Sequence, residues 1–170
     1  MPPNLDVYVL VSPREERVVQ HFLDRYVDVP TSADRGDEEL MILPVNANRE
    51  PARFEDWDWA PAESLDAAIR RGLTQPWRAF RLYLEAREPY SEAILSFTSS
   101  GHIVLGLSID DEHQTAENLD TARSLLHAMA DEFGSARGFV GWEVAPPLLV
   151  DEFPPQGEPR VLYEWSRETA

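Results

Sequence analysis

The residues Glu55, Asp56, Trp57, Asp58 and Trp59 combine negative charge with two large aromatic side chains. Tryptophan is enriched at binding hot spots, and carboxylates pair with arginine or lysine across protein interfaces. The surrounding stretch 46–61 holds two prolines and no regular period, which is typical of a long functional loop. We predict that these five residues bind a basic protein partner. The alternative is that the tryptophans fold inward and pin the loop to a sheet.

A second cluster consists of Asp110, Asp111, Glu112 and His113, which follow a strongly apolar stretch. Carboxylates together with an imidazole suit Mn, Fe or Zn, and open sheets often place sites where a central strand ends. The cluster could therefore serve a metal-dependent hydrolase. The competing interpretation is structural: these acids precede a predicted helix, where negative charge stabilises the positive end of the helix dipole.

Other catalytic patterns are missing from the sequence. The four histidines show no HExxH spacing, and Ser99, Ser100 and His102 lack the GxSxG context and are better explained as a turn. There is no GxGxxG, and only eight glycines are present, which disfavours a nucleotide site. We predict no catalytic residue, no cofactor and no metal.

Composition narrows the class of partner. The chain has 31 acidic residues against 15 basic ones, all arginine, for a net charge of −16. This excess disfavours nucleic acid and anionic membranes and favours a basic protein, and the alternative explanation is that it serves solubility alone. The absence of cysteine excludes disulfides and thiolate sites, and the absence of lysine excludes Schiff-base chemistry. With no membrane-spanning run and no signal sequence, a cytoplasmic location is expected.

Periodicity predicts the elements that would hold these clusters. Leu5, Val7, Val9 and Val11 alternate as a strand, and Ser12-Pro13-Arg14-Glu15 resembles a capping box with proline at the first helical position. That helix is expected to close at Val29-Pro30, with a loop over Thr31 to Glu38. A short strand is predicted over Leu40 to Leu43, a short helix from Ala62 to near Gly72, and strands over Trp77 to Ala86 and Val161 to Trp165.

The stretch from Tyr90 to Val144 carries the strongest structural signal. A hairpin is predicted around Ser99-Ser100-Gly101, with a second strand that is apolar on both faces over His102 to Ile109. A long amphipathic helix follows, capped by Thr115 and ended by Gly134, and then a strand over Arg137 to Val144.

Together these elements predict one α+β domain over residues 1–170. We expect a mixed or mainly antiparallel sheet of about six or seven strands with two or three helices packed on it. The proline-rich segment 146–170 is expected to be an edge or lid of this domain.

An acidic chain without lysine or cysteine, with the strand end IVLGLSIDDE and the loop EDWDW, resembles the small immunity proteins of bacterial polymorphic toxin systems. The resemblance implies a non-enzymatic inhibitor that binds one cognate toxin domain, often a basic nuclease. Two alternatives stay open: the metal-dependent hydrolase, and a structural subunit of a homo-oligomer. The sequence leaves the oligomeric state undetermined.

Overall fold

The computed structural model describes residues 3–34, 41–42, 60–61 and 64–168. Its strands are β1 (Asn4–Val11), β2 (Met41–Ile42), β3 (Ala60–Pro61), β4 (Phe80–Leu84), β5 (Glu92–Phe97), β6 (Ile103–Asp110), β7 (Arg137–Trp142) and β8 (Val161–Ser166). Its helices are α1 (Glu16–Tyr26), α2 (Val29–Asp34), α3 (Leu65–Thr74) and α4 (Ala116–Phe133). Among these helices, none is both long enough and apolar enough to cross a membrane.

Six strands form one antiparallel sheet in the order β4-β5-β6-β1-β7-β8, while β2 and β3 pair separately. The predicted α+β class is confirmed, and the sheet is wholly antiparallel. β1 lies inside the sheet, flanked by β6 and β7. β8 is an edge strand, and its exposed side carries Leu162, Glu164 and Ser166.

Both faces of the sheet are covered. On the first face, Leu5, Val7 and Val9 of β1 join the main core with buried residues of α1, α3 and α4. On the second face, Tyr8 and Leu10 belong to a smaller core that includes Phe139 of β7. Val144 and Phe153, from the segment between β7 and β8, close this smaller core. β1 therefore has apolar residues on both faces because helices cover one face and the segment between β7 and β8 covers the other.

The carboxylate of Glu132 ties α1 to α4. It accepts a hydrogen bond from the Tyr26 hydroxyl at 2.5 Å, and it lies 2.9 Å from Arg25 Nε and 2.8 Å from His21 Nε2. Three side chains of α1 thus converge on one side chain of α4. This cluster fixes the relative position of the two helices on the first face of the sheet.

The predicted hairpin and long helix are confirmed. The Thr98 N–H donates to His102 O at 3.0 Å, and Gly101 has a φ of 80°, which suits glycine in this turn. In α4, Thr115 Oγ1 accepts from the Asn118 N–H at 3.1 Å, and Gly134 ends the helix in the left-handed conformation. A capping side chain determines the start of α4 and the left-handed backbone of a glycine determines its end, and both signals are local, which is why the sequence alone indicates them.

The predicted capping box is wrong. α1 begins at Glu16, its N-cap is Glu15, and no side chain caps the helix. Glu15 is extended, and its carboxylate pairs with Arg17. Residues 12–14 stay outside the helix because the Arg14 side chain bonds to backbone oxygens of α3 and of the hairpin turn.

The predicted helix end at Val29-Pro30 is wrong, because α1 ends at Tyr26 and α2 begins at Val29. The first half of the predicted loop over Thr31 to Glu38 is also wrong, since residues 31–34 belong to α2, and its second half, residues 35–38, lies outside the described residues. Asp28 Oδ1 accepts from the Thr31 N–H at 3.2 Å, and Pro30 lies in the first turn, where the missing N–H is tolerated. Proline therefore helps to start a helix at a position where we expected it to close one.

The Arg14 guanidinium joins three parts of the fold. Its Nη1 donates to Gly72 O at 2.6 Å near the end of α3, and its Nη2 donates to Thr98 O and to His102 O in the hairpin turn. The guanidinium carbon lies 5.0 Å from the centre of the Phe97 ring. Burial lowers the pKa of Arg14 to about 10, so it remains charged at neutral pH.

Replacing Arg14 with methionine should lower the free energy of unfolding by about 2–4 kcal/mol, because several backbone carbonyls lose a charged donor. Urea denaturation measures this change. The matched substitution Arg17→Met removes a guanidinium that is largely exposed, so it should leave the free energy of unfolding almost unchanged. Equal stability of the two variants would show that Arg14 does not hold these elements together.

Candidate functional site

The predicted partner-binding residues Glu55, Asp56, Trp57, Asp58 and Trp59 lie outside the described residues. The second cluster is described. Asp110 ends β6, and Asp111, Glu112 and His113 form the connection to α4. Asp110, Glu112 and His113 are exposed, whereas Asp111 is only 4 % exposed.

Asp111 organises the start of α4. Its Oδ1 accepts from the side-chain amide of Asn118 at 2.8 Å and from the Thr115 N–H at 3.3 Å. Its own N–H donates to Pro3 O at 2.9 Å, which attaches this connection to the start of the chain. The buried carboxylate thus accepts from one backbone and one side-chain donor at the start of α4, which is the end of the helix where the structural interpretation placed these acids.

The four side chains do not form a metal centre. Within residues 3–34, 41–42, 60–61 and 64–168, no three His, Cys, Asp or Glu side chains are placed to hold a metal ion. Asp111 faces the helix start, while Glu112 and His113 are exposed in the following turn. A metal-dependent hydrolase would need these four side chains to point toward one ion, and they do not.

The register of the sheet brings carboxylates together in a different way. At one end of the sheet, Asn4 of β1 pairs with Asp110, and Asp6 and Glu92 both pair with Ser108 of β6. Glu143 follows β7 and joins this end, where its N–H donates to Asn4 O at 3.1 Å. We call this region the acidic end, defined by Asp6, Glu92, Asp110, Asp111, Glu112 and Glu143.

A recess of about 210 Å³ opens at the acidic end on the second face of the sheet. Asp6, Glu92 and Glu143 line it together with Asn4, Tyr8 and Tyr83, and we call it the acidic recess. Asp6 is 7 % exposed, and its Oδ1 accepts from the Ser108 hydroxyl at 2.6 Å. One buried carboxylate therefore lies at the centre of a group of acids.

Burial raises the pKa of Asp6 to about 7. The Ser108 hydrogen bond acts in the opposite direction, because it stabilises the charged form, while the negative charges of Glu92 and Glu143 raise the pKa further. Asp6 thus exchanges its proton near neutral pH. Such a perturbed group in a recess is a common mark of a functional site.

The walls of the acidic recess are aromatic. The Tyr8 ring is fully buried and lies over Gly106, where an added Cβ would come within 2.6 Å of two ring carbons. Tyr83 is half-buried, and burial raises the pKa of its hydroxyl. Gly106 therefore makes room for one aromatic wall of the recess.

A larger recess of about 590 Å³ lies at the same end of the sheet, between the start of β1 and the start of α4. Its apolar lining comes from Leu5, Leu119, Trp142, Pro159 and Leu162, and we call it the apolar recess. Leu162 is 45 % exposed, one of two large hydrophobic side chains that are this accessible in the described part of the chain. Asp111 also borders this recess, so the two recesses share the acidic end.

Sequence reasoning missed Asp6, Glu92 and Glu143. Asp6 gave a signal, because it is the one charged residue of β1 and is followed by five consecutive residues with large apolar or aromatic side chains. Glu92 and Glu143 gave none, since strand register brings them to Asp6 from positions far along the chain.

Asp111→Ala should lower the free energy of unfolding by about 1–2 kcal/mol, because the start of α4 loses its acceptor. Asp111→Asn should cost less, since an amide oxygen still accepts. Asp110→Ala is the control, with an expected change below about 0.5 kcal/mol.

Mn²⁺ and Zn²⁺ should leave the melting temperature of the protein unchanged, and a rise that depends on Asp110 and His113 would reveal a metal site.

Asp6 should make stability depend on pH. The pKa of Asp6 is about 7 in the folded state against 3.8 for the ordinary carboxyl, so the folded protein keeps a proton that the unfolded chain releases. The contribution of Asp6 is therefore fully present below about pH 4 and is lost as the pH rises toward 7, a change of about 2–4 kcal/mol.

In Asp6→Asn this contribution should disappear, so stability should fall much less than in the wild type between about pH 4.5 and 7.5. Urea denaturation at several pH values gives the comparison. Glu164→Gln, which removes an exposed carboxylate, should retain the wild-type dependence. An Asp6→Asn variant with the full wild-type dependence would show that Asp6 titrates normally.

No protein family model matches this chain, and comparisons with curated proteins and with solved structures find no significant match. The case for function therefore depends on the geometry of the chain's own residues.

Proposed function

We propose that this protein is a non-catalytic binding module that uses the acidic end to hold a basic protein partner. The observation that carries the proposal is the combination of two features at one end of the sheet. Carboxylates from four strand ends gather there, and an apolar recess with the exposed Leu162 lies beside them. Protein interfaces commonly have this composition, with an apolar centre and a charged rim.

The two features would contribute differently to binding. The carboxylates would attract a basic partner over long range and raise the association rate, an effect that salt weakens. The apolar recess would take an apolar side chain of the partner, and burial there would slow dissociation. An inhibitor or immunity protein that blocks a basic toxin domain in the cytoplasm would use such a surface.

The net charge of −16 supports the same class of partner. A basic protein would be attracted by most of the molecule and then oriented by its most acidic end. Nucleic acid and anionic lipid would be repelled by the same charges.

The test begins with affinity capture from the source cells and continues with purified proteins. The wild-type protein should retain a basic protein, and the purified pair should bind with an affinity that falls steeply with added salt. The variant Asp110→Asn/Glu112→Gln/Glu143→Gln should bind at least about tenfold more weakly, mainly through slower association. Leu162→Asn should weaken binding mainly through faster dissociation.

The matched control Glu16→Gln/Glu164→Gln/Glu168→Gln removes the same charge from exposed residues away from the acidic end. It should bind almost as tightly as the wild type. If both triple variants bind equally weakly, the partner is attracted by the total charge of the protein and not by the acidic end, which would contradict the proposal. An acidic partner, or full binding by the acidic-end variant and by Leu162→Asn, would contradict the proposal.

A further inference from the structure

We propose that the outer edge of β8 receives an extended segment of the basic partner, which pairs with it as a further strand of the sheet. This inference depends on the proposed function, and it assigns a binding mode to that partner. β8 is the last strand of the sheet, and its outer edge has no neighbouring strand among the described residues. An extended peptide that adds to such an edge gains main-chain hydrogen bonds, and its alternate side chains give specificity.

The backbone of β8 shows which groups are available at this edge. The Arg167 N–H donates to Ala136 O at 2.7 Å, so the backbone of Arg167 faces β7. Backbone polar groups of successive residues in a strand point to opposite edges, so Glu164 and Ser166 present their N–H and C=O groups to the outer edge. Both residues are exposed. Each of them therefore offers one donor and one acceptor to an added strand.

A bulge in β8 places an apolar contact at the same edge. In the register of the two strands, Val140 of β7 pairs with Tyr163. The next residue, Gly141, pairs with Val161, so Leu162 is an extra residue in β8. Val161 packs against the smaller core on the second face, whereas Tyr163 packs against the main core on the first face. At this change of face, Leu162 lines the apolar recess and remains 45 % exposed, so an apolar side chain of the added strand can contact it.

Charge determines the chemistry of the added strand. β8 begins beside the acidic end, because Val161 pairs with Gly141 and Glu143 follows shortly after. The arginines around β8 are already paired with carboxylates, namely Arg123 with Asp120, Arg160 with Glu158 and Arg167 with Asp131. The acidic end therefore sets the sign of the local charge and attracts a strand that carries arginine or lysine. A second copy of this chain brings its own net charge of −16 and is repelled.

The experiment uses the peptide acetyl-Arg-Val-Arg-Val-Arg-amide as the probe, titrated into the isotope-labelled full chain and followed by backbone amide NMR. Saturable shifts are expected at Leu162, Glu164 and Ser166, with a dissociation constant below about 5 mM. In the complex, the N–H groups of Glu164 and Ser166 should exchange with solvent at least about tenfold more slowly. The acidic peptide acetyl-Glu-Val-Glu-Val-Glu-amide should cause no saturable shift there.

A methylated form of the probe tests the backbone bonds in the wild-type chain. With every backbone nitrogen methylated, the basic peptide keeps its charges but loses its main-chain donors, so it should bind at least about tenfold more weakly. Equal binding of the two basic peptides, or shifts confined to other residues, would overturn the strand pairing.

The variant Glu164→Pro tests the same bonds from the side of the protein. It removes an N–H that faces outward, and proline is tolerated on an edge strand at such a position. The matched variant Glu164→Gln removes the same charge and keeps the N–H. The basic peptide should bind Glu164→Pro at least about tenfold more weakly than Glu164→Gln. If both variants fold and bind the peptide equally, the strand pairing is wrong, and if Glu164→Pro does not fold, the methylated peptide decides.

Two further outcomes identify other occupants or separate this proposal from the proposed function. A dimer of the free protein that Glu164→Pro abolishes would show that a second copy occupies the edge, and it would overturn the proposal. A captured partner that depends on the acidic end but binds Glu164→Pro and Glu164→Gln equally would overturn the strand pairing alone. A peptide that binds as expected, together with a partner that ignores the acidic end, would support the strand pairing and overturn the proposed function.

Discussion

The structure depends on the burial of β1 from both sides. A strand with apolar residues on alternate positions of both faces needs two coverings, and this fold supplies them from different parts of the chain. The helices cover Leu5, Val7 and Val9, and the segment between β7 and β8 covers Tyr8 and Leu10 through Val144 and Phe153. The second covering stops short of the start of β1, and the acidic recess lies there, next to Val144.

Asp6 occupies this boundary between buried and open sheet. It continues the row of Tyr8 and Leu10 on the second face, yet it is a carboxylate where the other positions are apolar. The Ser108 hydroxyl compensates part of the cost of burial, and the raised pKa of Asp6 lets the carboxyl take up a proton near neutral pH. An apolar side chain at this position would be more stable than a buried carboxylate. Asp6 is therefore the residue of β1 that core packing explains least.

Much of the fold follows from local patterns in the sequence. Alternation indicates β1, and Thr115, Gly134 and the apolar period determine α4, because these signals act within a few residues. The start of α1 could not be predicted, since Arg14 bonds to carbonyl groups of α3 and of the hairpin turn, which are distant in sequence. The sequence places Asp111 near the start of α4, which is a local relation. It does not indicate the recess, whose acids meet only through strand order and register.

The open edge of β8 has a consequence for the behaviour of the protein in concentrated solution. Among the described residues, the outer edge of β8 has no neighbouring strand, and such an edge with the exposed Leu162 beside it can pair with a similar edge, which is a common route to aggregation. Two such edges approach each other only against the mutual repulsion of chains that each carry a net charge of −16, with Glu164 on the strand itself. Colloidal stability therefore depends on ionised carboxylates, and it is weakest near the isoelectric point of about 4.5, where that repulsion vanishes.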